Sequence, residues 1–180
     1  MLKALEDGRC PIVLTERRDH LEWMQQQFSR FARNVVVLKG GMTETARKDA
    51  EAMLDSAEND ERLVLSTGRY LGEGFDDPRL DTLFLTMPIS WKGTLAQYVG
   101  RLHRNHHDKT NVVVYDYVDP AVPVLARMAA RRQAGYRALG YLISQEAHAN
   151  TGSNIPCEWR VKPATTLAHV RQRRNLTVPT

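Results

Sequence analysis

Two arginines and a glutamine occur at a spacing suited to binding an anion. Gln97, Arg101 and Arg104 lie four and seven residues apart, so a helix would place an amide and two guanidinium groups on one face. Guanidinium groups held side by side need a shared anionic partner, and their planar forks of donors match phosphate. A solvated basic face explains the spacing equally well, so both interpretations stay open at this point.

A glycine-rich segment, residues 66–78, is a second candidate site. It holds Ser66 and Thr67, then three glycines within seven positions, then Asp76. Glycine lets a backbone approach a ligand closely, and the Asp76 carboxylate suits a sugar hydroxyl or a water near a metal. Taken alone, the segment is more typical of an Asp-Pro turn, and a turn is also favoured over a catalytic dyad of Asp76 and Asp77.

Two shorter segments carry cations or bare backbone amides. They are Arg17, within Thr-Glu-Arg-Arg, and Lys39 followed by Gly40. Cations and free amides at a strand end or a helix start are suited to a phosphate backbone, although each segment alone is more typical of a surface loop.

The histidines suggest an alternative, a metal site. His103 and His107 are four residues apart, which suits zinc if a helix continues that far, and His106 and Asp108 lie close by. No cysteine is near, and the polar stretch is typical of a helix end before a strand. We therefore predict no metal site.

Five short apolar runs separated by helical patterns must position these residues. Runs that are apolar on both faces are typical of strands buried in a parallel sheet. The runs are 12–14, 35–38, 63–65, 83–85 and 112–115. The pattern predicts a doubly wound, mostly parallel α/β sheet with helices on both faces, whose functional groups gather at the carboxyl ends of the strands.

Four helices are predicted between and after these strands. They cover 19–33, a segment that Thr43 caps, 94–103 and 122–139. The core-facing residues are predicted as Leu21, Met24, Phe28 and Phe31 in the first helix and Ala50, Met53, Leu54 and Ala57 in the second.

Composition limits the class of protein. The chain has 180 residues, 42% hydrophobic and 26% charged, which fits one globular domain with an appendage. Its two cysteines are too few for a disulfide framework, and no uncharged apolar stretch approaches the roughly 20 residues of a membrane span, so we predict a cytoplasmic protein. We predict an α/β domain over 1–140 and a linker with a partly disordered basic tail over 141–180.

The net charge of +4 is concentrated near the C-terminus. Residues 127–180 hold nine Lys and Arg against two acids, whereas residues 1–126 hold 16 basic and 19 acidic groups. A basic end on a nearly balanced body suits an anionic partner, although basic tails often serve only as solvated surface.

The order of these motifs resembles the C-terminal RecA-like domain of superfamily 2 helicases. Successive strands are followed by Thr-Glu-Arg-Arg, by Lys-Gly-Gly, by Ser-Thr with Gly-Glu-Gly-Phe-Asp, and by Gln-x-x-Gly-Arg-x-x-Arg, over about residues 9–140. The Gly-Glu-Gly-Phe-Asp form and the initial Gln are closer to DNA translocases and restriction- or repair-type helicases than to the DEAD-box RNA group.

The resemblance implies a role for each motif near the nucleotide. Gln97, Arg101 and Arg104 look like motif VI, in which the two arginines act as arginine fingers on the γ-phosphate of ATP. Gly74 and Asp76 look like the part of motif V that meets the nucleotide.

It also implies nucleic-acid contacts. Ser66 and Thr67 match the backbone-holding part of motif V, Arg17 lies in a motif-IV-like loop, and Lys39 and Gly40 lie in the adjoining backbone-contacting segment. The distance from Thr67 to the motif V glycine is one residue longer than in DEAD-box proteins, so the contact falls on Ser66, Thr67 or the next residue.

The sequence lacks a Gly-x-x-x-x-Gly-Lys-Ser/Thr loop and a strand that ends in Asp-Glu. We therefore expect ATP and Mg²⁺ to be bound mainly by a separate N-terminal RecA-like domain, and this chain to be inactive alone. The expected polymer is DNA, with RNA as the other candidate. The alternative is a non-catalytic RecA-like module that binds nucleic acid or protein.

Overall fold

The computed structural model describes residues 1–56, 60–72, 75–89, 93–146 and 157–163. In chain order the elements are α1 (Leu2–Glu6), β1 (Pro11–Thr15), α2 (Arg18–Phe28), β2 (Asn34–Leu38), α3 (Glu44–Ser56), β3 (Arg62–Thr67), α4 (Gly68–Gly72), β4 (Thr82–Leu85), α5 (Thr94–Leu102), β5 (Val113–Val118), α6 (Pro123–Ala138), β6 (Tyr141–Glu146) and β7 (Cys157–Pro163). None of the helices in these ranges is long and apolar enough to cross a membrane.

One sheet organises the chain, in the order β2-β3-β1-β4-β5-β7-β6. The first five strands are parallel, and each contains one of the five predicted apolar runs. Every residue of β1, β3 and β4 is buried, which explains why these strands show no polar alternation. The prediction of a mostly parallel α/β sheet is confirmed.

Helices cover both faces of the sheet. On one face Leu21 and Met24 of α2 pack with α1 against Val13, Leu65 and Phe84. On the other face the side chains of α3, α5 and α6 pack against alternate residues of the same strands. The two-sided packing is that of a RecA-like α/β fold, as predicted.

The predicted helices begin close to the observed ones, but α2 ends at Phe28, five residues before its predicted end. The Thr43 hydroxyl accepts a hydrogen bond from the Ala46 amide at 3.2 Å, which confirms the cap of α3. Two core assignments are wrong. Phe31 is 64% exposed because α2 ends at Phe28, and Met53 is 42% exposed on the outer side of α3. Ala57 lies outside the described residues.

The predicted linker over 141–180 is wrong for the residues that form β6 and β7. These strands pair with each other and β7 pairs with β5, all antiparallel, so they extend the sheet beyond the parallel strands. In β6 burial alternates, with Tyr141 buried, Leu142 63% exposed and Ile143 half-buried. The apolar residues of β6, Tyr141, Leu142 and Ile143, form a run as short as three of the other five, and polar residues complete the strand. The remainder of 141–180 lies outside the described residues.

Candidate functional site

The predicted residues separate into two groups at opposite ends of the strands. Thr67, Arg17 and Lys39 end or directly follow β3, β1 and β2, which are neighbours in the sheet. The segment that contains Asp76 lies at the other end, because the next residue, Asp77, pairs with Arg62, the first residue of β3. The expectation that the functional groups gather at the carboxyl ends of the strands is therefore wrong for the Asp76 group.

Helix α5 brings the arginines to this second group. It begins after the carboxyl end of β4 and runs back along the sheet for nine residues, a length of about 13 Å. Leu95, Val99 and Leu102 are fully buried against the core, so the opposite side of the helix carries Gln97, which is exposed. This packing is what the sequence predicted for α5.

Arg101 and Arg104 hold two consecutive residues of the loop before β4. Arg101 Nη1 donates a hydrogen bond to the carbonyl oxygen of Phe75. Arg104, two residues beyond the end of α5, places Nη2 3.3 Å from Asp76 Oδ2. The side chains of Arg104 and Asp76 are 59% and 44% exposed. The structure thus brings Arg104 into contact with Asp76 and Arg101 into contact with the residue before it, while Gly74 lies outside the described residues.

Asp77 holds this loop against the first residue of β3. Its carboxylate lies 2.6 Å from Arg62 and 3.1 Å from Arg79, and it is 4% exposed. The two arginines also donate to the carbonyl of Leu54 at the end of α3, at 3.2 and 2.9 Å. Asp77 further accepts the amide of Arg79 at 3.0 Å, as in an Asx turn. A buried, doubly paired Asp77 fits the predicted turn and not a catalytic dyad.

An open cleft of about 820 Å³ adjoins the loop. Its walls combine aromatic and charged side chains, with the rings of Tyr70 and Phe75 6.4 Å apart and Asp76 at the margin. Arg47 and Glu51 of α3 form the opposite wall. The cleft is wide enough for a nucleotide-sized ligand.

At the carboxyl ends of the strands, here called the carboxyl edge, the hydroxyl groups of Ser66 and Thr67 differ in their hydrogen bonding. The Ser66 side chain is fully buried and donates to the carbonyl of Thr67 at 3.0 Å. The Thr67 hydroxyl is buried without a hydrogen-bond partner among the described residues. Thr67 is paired across the strands with Thr15, whose hydroxyl lies 3.1 Å from His20 Nδ1. Of these hydroxyl groups, only that of Thr67 therefore has no hydrogen-bond partner among the described residues.

The cations at this edge are already paired with acids. Arg17 forms an ion pair with Asp19, whose pKa the Arg17 hydrogen bond lowers, and Lys39 Nζ lies 3.1 Å from Glu22 Oε1. Exposed pairs of this kind contribute little to stability, so an anion can replace the acid at small cost. Sequence reasoning missed one residue here. Arg18 Nη2 donates to the carbonyl of Gly40 at 3.0 Å and joins the β1 and β2 loops.

The histidines do not form the helical pair that the alternative of a zinc site requires. Helix α5 ends at Leu102, so His103 and His107 do not share a helix face. His103 Nε2 instead lies 2.6 Å from the Tyr141 hydroxyl, and burial lowers its pKa. The ligand atoms of His106, His107 and Asp108 lie within 4.8 Å of one another, but His107 and Asp108 are exposed and the three residues are adjacent in sequence.

The parallel sheet and the helices on both faces define a RecA-like α/β domain. Residues 1–106 match the family described as Helicase conserved C-terminal domain. The chain belongs to this family. No curated protein matches the chain at a significant level.

Solved structures support the fold. The C-terminal part of the Fun30 ATPase domain aligns with a TM-score of 0.57 and 10% identity, over 70% of this chain and 41% of that chain. The chain therefore spans about two fifths of that relative. Domain 2 of the DEAD-box helicase Mss116p, bound to an RNA duplex, aligns at 0.42 with 15% identity over 62% and 42% of the two chains. SMU.1697c from Streptococcus mutans, described as a methyltransferase in complex with SAH, aligns at 0.46 with 11% identity over 86% and 88%. Because the last two scores are below 0.5, neither match bears on function.

Proposed function

We propose that the chain is the second motor domain of an ATP-dependent DNA helicase or translocase. The observation that carries the proposal is the pair of adjacent contacts, Arg101 to Phe75 and Arg104 to Asp76. Both contacts are made to the loop that contains Asp76, and Arg104 and Asp76 are exposed enough to face a second domain, which supports a role for the two arginines as fingers.

The residues present fit a nucleotide phosphate. Arg101 and Arg104 each carry five fixed N–H donors, and Arg104 is more than half exposed, so its ion pair with Asp76 can open without a large cost. Asp76 then offers a carboxylate that can accept a ribose hydroxyl. Gln97, one turn before Arg101, would orient the motif VI face toward the same ligand.

In this proposal the nucleotide and Mg²⁺ are held mainly by an N-terminal RecA-like domain. That domain supplies the phosphate loop and the acidic metal ligands, and Arg101 and Arg104 complete the site by stabilising negative charge on the transferred phosphoryl group. Because the catalytic residues are divided between two domains, we expect that the chain alone does not turn over ATP.

The carboxyl edge is proposed as the nucleic-acid track. Thr67, Arg17 and Lys39 lie on three neighbouring strands, β3, β1 and β2, so they form a row along one edge of the sheet. A hydroxyl donor between two cations that can exchange their acidic partners for phosphate is suited to binding successive phosphates of one nucleic-acid strand. The fully buried Ser66, whose hydroxyl donates to the Thr67 carbonyl, would help to position Thr67. DNA is proposed because of the Gly-Glu-Gly-Phe-Asp form and the initial Gln of motif VI.

Turnover measurements on the separate and combined domains test the division of the ATP site. We expect no motor-like ATP hydrolysis from the chain alone and hydrolysis when it is joined to an N-terminal motor domain that carries the phosphate loop. Motor-like turnover by the purified chain alone would disprove the shared site.

A titration with single- and double-stranded DNA and RNA at two salt concentrations tests the track. Binding should weaken as salt rises, because phosphate contacts release counterions. Thr67→Val should weaken binding, whereas Ser29→Ala, an exposed hydroxyl at the end of α2, should not. Binding that does not depend on salt would favour a protein partner and the binding-module alternative.

A further inference from the structure

A buried lysine closes the end of the motif VI helix. Lys109, which follows α5 and precedes β5, is 8% exposed. Its Nζ donates hydrogen bonds of 2.9 Å to two carbonyl oxygens, those of Leu102 and Arg104. Leu102 is the last residue of α5, and Arg104 is the residue that reaches Asp76.

The position is chemically suited to an ammonium group. The last carbonyls of a helix have no partner within the helix and lie at the negative end of its dipole, so a cation with several donors satisfies them. Burial lowers the pKa of Lys109, whereas the carboxylates of Asp81 and Asp77 act in the opposite direction. The ammonium group of Lys109 is therefore stabilised by these carbonyl oxygens and carboxylates.

Lys109 acts on the backbone that carries Arg104. Helix α5 orients Arg101, because Arg101 lies within its last turn. Arg104 lies beyond the helix, and its backbone is held by two hydrogen bonds, one from its own amide to the Arg101 carbonyl at 3.2 Å and one from Lys109 to its carbonyl. Without the second bond the backbone of Arg104 loses one of the two hydrogen bonds that orient it toward Asp76.

We propose that Lys109 is a positioning residue for Arg104: by binding the carbonyls of Leu102 and Arg104, it directs the Arg104 guanidinium toward residue 76 and the shared nucleotide site. This inference rests on the proposed function, because it gives Lys109 a part in ATP turnover through Arg104. No contact of Lys109 itself with the nucleotide is needed.

The geometric part is tested on the chain alone by NMR of the arginine Nε–Hε groups. The Arg104 signal is assigned by its loss in Arg104→Lys, and Asp76→Asn gives its position when the ion pair is broken. We expect Lys109→Met, which keeps the aliphatic stem but removes the donors, to move the Arg104 signal to the Asp76→Asn position. Lys48→Met is the control, because Lys48 is exposed on α3. An unmoved Arg104 signal in Lys109→Met overturns the inference.

The functional part is tested on the protein that joins this chain to its N-terminal motor domain. We expect Lys109→Met to lower kcat for ATP by about 10- to 100-fold, the effect of a slightly displaced catalytic group, with KM and nucleic-acid affinity changed by less than about threefold. A general loss of structure would instead change all three parameters together. If Lys109→Met folds poorly, Lys109→Gln, which keeps an N–H donor group, should give a smaller fall in kcat and a partial shift of the Arg104 signal.

Arg104→Ala, measured in parallel, separates the two possible failures. If Arg104→Ala abolishes turnover while Lys109→Met and Lys109→Gln leave kcat unchanged, the positioning role is overturned and the proposed function stands. If Arg104→Ala leaves turnover unchanged, the arginine-finger assignment is overturned, and the role of Lys109 in turnover with it.

Discussion

Arg104 and Asp76 form an ion pair, with Arg104 Nη2 3.3 Å from Asp76 Oδ2, between a residue just past α5 and the loop before β4. The next residue of that loop, Asp77, is buried in ion pairs with Arg62 and Arg79. Two adjacent aspartates thus have opposite surroundings: Asp76 is open to solvent and exchangeable, whereas Asp77 fixes the loop. The contrast explains how the Asp76 carboxylate can be held in position by its buried neighbour and still be open to a ligand.

The two aspartates should differ strongly in their effect on stability. Asp77→Asn removes the charge that pairs with Arg62, which is 1% exposed, and should lower the free energy of unfolding by about 3 kcal/mol or more. Asp76→Asn should lower it by less than about 1 kcal/mol, because its pair with Arg104 is half exposed and screened by solvent. Urea unfolding of both variants checks this, and equal losses would contradict the distinction.

Gly68 and Gly100 should respond in opposite directions to the same substitution. A Cβ at Gly68 would lie 2.6 Å from Tyr98 Oη and from Glu16 Oε1, so Gly68→Ala should destabilise the protein by about 1–3 kcal/mol. A Cβ at Gly100 meets no heavy atom within 4 Å, and Gly100→Ala within α5 should stabilise by about 0.5–1 kcal/mol.

The role of Tyr98 can be isolated in the same series. Burial, with a smaller effect of the Glu16 charge, raises the pKa of Tyr98 to about 12, so its hydroxyl is neutral and fixed in place at pH 7. The cost of Gly68→Ala should be smaller in a Tyr98→Phe background, as measured by thermal or urea unfolding. An undiminished cost would assign the crowding to Glu16 or to Met87 instead.

His103 should make stability depend on pH below neutrality. Burial and the nearby Lys109 lower its pKa from the ordinary value of 6.5, so the unfolded chain binds a proton more readily than the folded one. The stability that His103 contributes is complete above pH 6.5 and is lost as pH falls through the lowered pKa. The loss between pH 7.5 and 5.5 should be smaller in His103→Gln, by less than about 1 kcal/mol because the ring is only partly buried.

The control for this pH effect is His107→Gln, since the His107 side chain is 80% exposed. Urea unfolding at the two pH values should show the wild-type loss in His107→Gln. If His103→Gln loses as much stability as the wild type, the assignment of the pH dependence to His103 is wrong.

The sequence predicted those parts of the fold that have a continuous apolar signal. Strands β1, β3 and β4 were found because they are buried on both faces, and the partly buried β2 and β5 were found from their runs of valine. The signal of β6 is different, an alternation of buried Tyr141 with exposed Leu142, and it is short enough to resemble an irregular segment. The two antiparallel strands, β6 and β7, were therefore missed by a search for the pattern of a parallel sheet.

For the site, spacing identified the residue types but not their surroundings. The motif VI spacing gave Arg101 and Arg104, yet nothing in the sequence indicates that Lys109 lies beneath them, because this contact depends on how 103–109 folds back. Charge counting was also misleading. Arg132 belongs to the basic end, but it is buried and bonded to Asp116 at 2.8 Å through both Nε and Nη2. One of the nine C-terminal cations is thus neutralised inside the core.

Arg104→Ala, in the protein that joins this chain to its N-terminal motor domain, tests the central claim most directly. Steady-state ATP turnover should fall by about 10³- to 10⁵-fold, while the affinity for ATP changes only a few-fold, because the finger acts on charge that develops during the reaction. Arg131→Ala, at an exposed arginine on α6, should leave both quantities unchanged. Unchanged turnover in Arg104→Ala would contradict the account.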